Sequence, residues 1–528
     1  MVVGRKTILS RKLLKSTAVT GGMTLISRIT GLVRDIVFAH VIGASAGVAA
    51  DAFYVAFRIP NFFRRIFGEG AFAQAFVPVY AEHQAGATDD ERQAFLSNIS
   101  GILSSTLLFV TVLGVIAAPL VVTILAPGFL AVPEKYELTV MMLRITFPYL
   151  AFISLVALAA GILNTHGQFG VPAFTPVLLN LSLIAAALWL APKIGNTGLA
   201  LAWGVLAAGA VQLLFQLPFL RRIRALPRPR LGWRNSGVKR VFKLMLPAIF
   251  GSSVVQINML VNTLLASFLV TGSVSWLYYS DRLMEFPLGV FGIALATVIL
   301  PTLSRRYVGA LAEEFSQLLD WALRWVFLVA VPASVGLIVL AKPILTTLFQ
   351  YGQFGPYDVE MTSRALIAFS FGLVAFITVK ILALGFYARQ NTSSPAKIAA
   401  WSVAANIILS LALISSLAHT GLALSISLAA FVNAGLLFRL LRKDGIYTPL
   451  PGWSRLVLRI GVASTLMALV LGWGASDMPG WIAASVFLRV VQLGLWISVG
   501  ILVYIASMLM LGARPRDFLL RRIEQTDD

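Results

Sequence analysis

The chain has 528 residues, 58% of them hydrophobic and 12% charged, against about 25% charged in a soluble domain, which excludes a soluble enzyme. Lys and Arg number 42 against 22 Asp and Glu, a net charge of +20, and in so apolar a chain this marks cytoplasmic loops rather than a nucleic-acid partner. The absence of cysteine and the scatter of His40, His83, His166 and His419 exclude disulfides, thiol chemistry and a clustered metal site; no cofactor is expected.

A membrane-crossing helix needs about 20 mostly apolar residues. Read from the N-terminus with Gly, Pro, Asn and charge clusters as punctuation, the sequence predicts about fourteen spans. They lie near 17–43, 49–82, 98–125, 138–163, 172–192, 197–220, 240–269, 273–303, 317–349, 361–387, 396–417, 420–438, 456–475 and 482–511. The basic start with its apolar stretch is not read as a signal peptide, because the stretch is long, holds Arg28 and Arg34, and has no small-residue cleavage site before them.

Basic residues gather in the N-terminal segment, in the even-numbered connections and at the C-terminal end, whereas "GASAGVAA", "TGSVS", "SLAHTG" and "GASDMPG" carry no Lys or Arg. This alternation predicts that both termini are cytoplasmic. Lys135 and Lys193 are the main exceptions. The predicted organisation is an N-lobe of six spans over 1–222, a basic cytoplasmic linker over 223–239, a C-lobe of six spans over 240–445, and a two-span tail with a basic end over 446–528.

The two six-span blocks echo each other. Ala71, Ala73 and Pro78 match Ala294, Ala296 and Pro301, Leu125 matches Leu348 and Pro172 matches Pro395, all 223 residues apart. An even number of spans per repeat keeps both halves in the same orientation, and carriers built this way place the substrate near the midplane. The fold class expected is thus an all-α polytopic membrane protein with two pseudo-symmetric lobes and a C-terminal helix pair.

Ionisable residues inside spans are the functional signal, since each costs roughly 2.5–3.5 kcal/mol at the bilayer centre on insertion scales. Span one holds Ser27, Arg28, Arg34 and Asp35; seven-residue spacing puts Arg28 with Asp35 and Ser27 with Arg34 on adjoining faces. Span two carries Asp51, Arg58, Arg65 and Glu69 as one stripe, with Arg64 beside it and Pro60 as a possible kink. Span eight carries Ser275, Asp281, Arg282 and Glu285. Snorkelling to the interface would account for Asp51, Glu82 and Arg305, and local ion pairs for Arg28–Asp35, Arg65–Glu69 and Arg282–Glu285. Leaving out the terminal Glu82, eleven charges in three spans exceed what packing needs, which predicts a wet cavity. All six cations are Arg, whose planar fork binds phosphate bidentately.

The strings "SRITGLVRDIVFAHVIG", "ADAFYVAFRIPNFFRRIFGEGAFAQAFVPVYAEH", "WLYYSDRLMEFPLGVFGIALATVILPTLSR", "LFQYGQF" and "FYARQNTSSPAKIA" closely resemble the MurJ/MviN lipid II flippase family of the multidrug/oligosaccharidyl-lipid/polysaccharide exporter superfamily. The resemblance runs from about Leu13 to about Leu511. It implies 14 helices, a V-shaped cavity between two lobes, alternating access, and a groove for the lipid tail on the last two helices. The implied substrate is lipid II, the undecaprenyl-diphosphate-linked peptidoglycan precursor, moved from the cytoplasmic to the periplasmic leaflet of the bacterial inner membrane. Membrane lipids and other cell wall synthesis proteins are the implied partners.

By the same resemblance the essential arginines fall on Arg28, Arg34, Arg64 and Arg282, with Ser27, Asp35, Asp51, Glu69, Ser275 and Glu285 as associated polar positions. Arg58 and Arg65 are added from the stripe. The acids would hold the arginines until the diphosphate arrives. Some family members bind sodium through acids in helices seven and eleven; here those spans offer Asn258, Asn262 and Asn406. Membrane potential and protons both stay open as driving forces. A drug or polysaccharide exporter of the same superfamily is the alternative. A polyprenyl-phosphate enzyme would need the acidic cluster Asp89-Asp90-Glu91 as a metal site, and that cluster reads instead as a solvated loop, so no catalytic residue is assigned.

Overall fold

Residues 2–65, 71–233, 235–289 and 312–514 are described by the structure, a computed structural model. Every regular element among them is helical. In chain order the helices are α1 (Val2–Ile42), α2 (Ala49–Phe63), α3 (Ala71–Gly86), α4 (Asp89–Ile116), α5 (Ala118–Leu125), α6 (Pro133–Thr146), α7 (Tyr149–Thr165), α8 (Gly170–Ala185), α9 (Ala191–Ile194) and α10 (Thr197–Arg222). They continue as α11 (Ser236–Ser267), α12 (273–289), α13 (Ala312–Val339), α14 (Ala341–Leu348), α15 (Pro356–Tyr387), α16 (Ser393–Lys443), α17 (Trp453–Gly474), α18 (Met478–Ala483) and α19 (Val486–Met510). Nine helical stretches among the described residues are long and apolar enough to cross a membrane.

Helix starts follow local chemistry. Thr88 and Glu91 form a reciprocal capping box at α4, and Asp89 pairs with Arg92 at 2.6 Å. The acidic cluster Asp89-Asp90-Glu91 therefore opens a helix, where carboxylates favour the N-terminal dipole. Asn196 and Asn235 cap α10 and α11 through their side-chain oxygens. α1 ends at Gly43, whose φ of +68° suits glycine, and a Cβ there would lie 2.6 Å from the Gln353 carbonyl oxygen.

The repeat is visible in the helix boundaries themselves. The ends Ile116 and Val339, the starts Ala118 and Ala341, the ends Leu125 and Leu348, the starts Pro133 and Pro356, and the starts Gly170 and Ser393 are all 223 residues apart (339−116, 341−118, 348−125, 356−133, 393−170). Boundaries normally scatter by one or two residues, so five coincidences at the offset read from the sequence establish the duplication. Ala294, Ala296 and Pro301 lie outside the described residues. The predicted spans 98–125 and 317–349 are each two helices, interrupted at Ala117 and Leu340.

α16 is 51 residues long, but Ala418 has φ 48° and ψ −130°, outside the helical region. Ser402 Oγ donates to the Ala429 carbonyl at 2.8 Å, and the Ser410 and Ser425 hydroxyls meet at 2.6 Å. In a straight helix, 27 residues would span about 40 Å. The chain therefore doubles back at Ala418, as the separate spans 396–417 and 420–438 predict.

Packing divides the chain into two compact units, Met1–Ser275 with Tyr351–Phe354, and Trp276–Gln350 with Gly355–Asp528. The first unit includes the basic segment 223–239 and all of α11. That segment is strapped to α4: Arg230 N–H donates to the Ser97 carbonyl at 3.0 Å, and Gln93 to the Leu226 carbonyl at 2.7 Å. α11 then lies on α3, with Gly237 against His83 and Phe95.

In the second unit, the tail helices pack Leu456, Ile460, Met467 and Leu471 with Trp481 and Tyr504 into one cluster against α13. Their outer faces leave Trp473, Phe487 and Met510 about four-fifths or more exposed, which fits lipid and not water. Asp320 of α13, fully buried, fastens the connection before α17. Its Oδ1 accepts from Tyr447 Oη (2.8 Å), Trp453 Nε1 (2.7 Å) and Leu450 N–H (3.1 Å), and its Oδ2 from Arg324 Nε (2.6 Å). Burial and the Asp320 carboxylate push the Tyr447 hydroxyl pKa well above its ordinary value, so it remains a donor. Asp320→Ala leaves the Tyr447 and Trp453 donors without acceptor, at roughly 1–3 kcal/mol each. The expected result is a clearly lower thermal unfolding midpoint in detergent, with Asp320→Asn in between.

Candidate functional site

α1 and α8 are joined by a polar knot inside the first unit. Arg34, 5% exposed, donates from Nε (3.0 Å) and Nη2 (2.7 Å) to Asp35 Oδ1, and from Nη1 to Asn180 Oδ1 at 3.1 Å. Asn180 in turn donates to the Ser27 carbonyl and the Thr30 hydroxyl, both at 3.1 Å. The Arg34 guanidinium also lies 5.6 Å from the centre of the Phe38 ring. The partner of Asp35 is thus its neighbour Arg34, and not Arg28 as helical spacing predicted. A long side chain reaches along the helix, and the amide of Asn180 on another helix fixes where the fork turns.

Arg28, next to Ser27 on the same helix, is half-buried and has neither hydrogen bond nor ion pair among the described residues. Arg65 has the same status at the end of the second stripe. Arg64 Nε donates to Asn61 Oδ1 at 3.1 Å, and its backbone N–H bonds the Pro60 and Asn61 carbonyls where α2 gives way to a wider turn. Pro60 itself is buried within α2. Arg58 is half-buried. Glu69 lies outside the described residues.

Asp51 heads the stripe, but it is sealed rather than lining a cavity or snorkelling. Its Oδ2 accepts from Lys135 Nζ (2.7 Å) and Gly272 N–H (2.8 Å), and its Oδ1 from Ser275 Oγ (2.6 Å) and Ser275 N–H (3.0 Å). Asp51 and Ser275 are fully buried and Lys135 is 3% exposed. Lys135 Nζ also sits 4.2 Å from the centre of the Phe129 ring. The carboxylate therefore caps the start of α12 and neutralises a lysine at once. Lys135 stood out in the sequence only as an exception to the charge alternation; a lone cation in an apolar stretch was the signal for a buried partner.

The second unit uses the equivalent position with the opposite charge. Asp358, 223 residues after Lys135, accepts a hydrogen bond from Trp276 Nε1 at 2.8 Å, again gripping the start of α12. One turn and a half along that helix, Arg282 Nη1 meets Glu285 Oε2 at 3.2 Å with both side chains more than a third exposed, the pairing the spacing predicted. Such a pair is weakly held. Arg489, which sequence reading passed over, is 8% exposed and donates to the Trp481 and Ala484 carbonyls at 3.1 Å and the Thr346 carbonyl at 3.3 Å, fastening the tail pair to α14.

The site residues thus fall into two kinds. Arg34, Asp35, Asp51 and Ser275 are buried and fully engaged with protein. Arg28, Arg58, Arg64, Arg65, Arg282 and Glu285 are partly accessible. A duplicated helical membrane fold that carries accessible arginines within its apolar helices is the architecture of a membrane carrier.

The profile of the lipid II flippase MurJ family matches residues 38–492. The probable lipid II flippase MurJ of Vibrio cholerae is 44% identical over 515 residues, covering 96% of this chain and 98% of that one. The lipid II flippase MurJ of Burkholderia cenocepacia is 44% identical over 467 residues, covering 88% and 90%. A structure described as lipid II flippase MurJ in an inward closed conformation superposes with a TM-score of 0.78 at 29% identity, covering 93% of this chain and 98% of that one. An inward-facing multidrug resistance MATE family transporter of the MOP superfamily shares the fold, with a TM-score of 0.66 at 16% identity over 81% of this chain and 98% of that one. The fold is therefore a multi-pass helical membrane fold shared with both of these structures. The chain belongs to the lipid II flippase MurJ family.

Proposed function

We propose that this protein carries lipid II across the bacterial inner membrane, from the cytoplasmic to the periplasmic leaflet, with both termini cytoplasmic. No bond is made or broken; the protein supplies a polar path for a head group that the bilayer core rejects. The head-group diphosphate pairs with Arg28, Arg64 and Arg282, with Ser27, Arg58, Arg65, Glu69 and Glu285 around them, while the polyprenyl tail stays in lipid along α17 and α19. Arg34, Asp35, Asp51 and Ser275 hold the helices that present those arginines. Two six-helix lobes, rocking about the bound head group, expose it to each side in turn.

The observation that carries this reading is Arg28. An arginine within an apolar helix, with no protein partner among the described residues, needs an anion, and phosphate matches its fork. The Glu285 carboxylate holds Arg282 at 3.2 Å in partial contact with solvent, an arrangement from which a diphosphate can displace it. Depleting the protein from cells is expected to trap lipid II in the cytoplasmic leaflet, read by leaflet-resolved labelling. Unchanged outer-leaflet lipid II would refute the proposal.

A further inference from the structure

Beside the start of α8, between it and α1, lies an open cavity of about 370 Å³ wholly within the first unit. Thr20, Thr24 and Ser27 line one wall, one hydroxyl per turn of α1, and Phe169 and Pro176 of the α8 end line another. Asn164, at the end of α7, completes it. The neighbouring His166 turns away to the Tyr80 hydroxyl, 3.0 Å from its Nε2, so the amide at the cavity is that of Asn164.

Three features define what this cavity takes. Its lining among the described residues is uncharged, so these groups offer no counter-charge to a phosphate or a carboxylate. Among the described residues the part-exposed Asn164 amide and Ser27 hydroxyl have no side-chain hydrogen-bond partner, so both are open to a ligand. Phe169 is 40% exposed and offers an apolar platform. A ring face with amide and hydroxyl groups around it complements a neutral, polyhydroxylated, N-acylated ring. The volume falls within the range of roughly 300–1,000 Å³ for small-molecule sites, large enough for one sugar and too small for a whole glycopeptide.

From this we infer a specificity subsite: the cavity binds an N-acetylated sugar of the head group, beside the diphosphate held by Arg28 one residue after Ser27. The inference rests on the lipid II reading above and adds to it which part of the substrate is recognised where. The arginines read the diphosphate, which every polyprenyl-diphosphate lipid shares. The cavity reads the sugar, which distinguishes them, because a site built to hydrogen-bond a substrate rejects an analogue lacking those groups.

The test compares two probes, lipid II and bare undecaprenyl diphosphate, binding to the purified protein in nanodiscs. Asn164→Ala, and Ala173→Leu to fill the cavity that Ala173 also lines, are expected to weaken lipid II binding roughly three- to tenfold each, the usual yield of one lost hydrogen bond or a blocked contact. Binding of undecaprenyl diphosphate is expected to stay at the wild-type level in both variants, which also shows that they are folded. Arg28→Ala is expected to weaken both probes. Equal losses for the two probes, or wild-type lipid II binding in both cavity variants, would overturn the subsite. Wild-type binding of both probes by Arg28→Ala would instead count against the arginine reading, leaving the subsite to stand or fall on its own pair of variants.

Discussion

Replacing Arg28 or Arg282 with alanine is expected to abolish lipid II transport while leaving the protein inserted at normal levels. Arg28 gives up no protein contact when truncated, since it has no partner among the described residues. One contact that Arg282 gives up is with a part-exposed glutamate, and a pair of that exposure contributes little to stability. Neither loss should unfold the chain. Each does remove a bidentate, charge-assisted contact to phosphate worth roughly 1.5–3 kcal/mol, on the order of ten- to a hundredfold in affinity. The loss compounds where the head group must leave water. Lysine at either position should restore only part of the activity, because a point charge does not reproduce the planar fork. The measurement is flipping in proteoliposomes alongside complementation of depleted cells; wild-type rates in both alanine variants would sink the assignment. Arg34→Ala should behave differently. It dismantles the knot between α1 and α8, so its failure should appear as a low level of folded protein.

That contrast also shows where sequence reading reaches and where it stops. The duplication was legible because helix breaks are local events: Leu125 and Leu348 end α5 and α14, and Pro172 and Pro395 stand in the first turns of α8 and α16, so the same interruptions recur at the same offset. Arginines within apolar spans were legible because nothing but function or a buried partner sustains them. Which of those two applied was not legible. Arg28 and Arg34 differ by six residues on one helix; Arg34 is locked by Asp35 and by Asn180, 146 residues away, and Arg28 by neither. Asp51 and Lys135 are likewise 84 residues apart, so a carboxylate assigned to a cavity stripe proves to be half of a sealed pair. The breaks at Ala117 and Leu340 fell inside stretches read as single spans, although Pro119 follows the first and Lys342-Pro343 the second, because an average over a span's length conceals a short interruption.

The sealed pair leads to the second large effect. Asp51 holds four donors, one of them a lysine ammonium that is 3% exposed. Asp51→Ala would strand that charge in an apolar surround and release the start of α12, on which Arg282 is carried seven residues after Ser275. Breaking a buried ion pair from one side costs about 3–5 kcal/mol, a large share of the 5–15 kcal/mol that stabilises a typical native protein. The expected result is a steep fall in thermal midpoint in detergent, with loss of transport. The loss should be asymmetric. Adding Lys135→Met to Asp51→Asn removes the stranded charge and should recover much of the stability lost in Asp51→Asn alone, because two neutral groups of similar volume need no counter-charge. Transport should recover less than stability if the grip of Asp51 on Ser275 also sets where Arg282 is presented. A double variant no more stable than Asp51→Asn would show that the lysine charge is not what the carboxylate is there to neutralise.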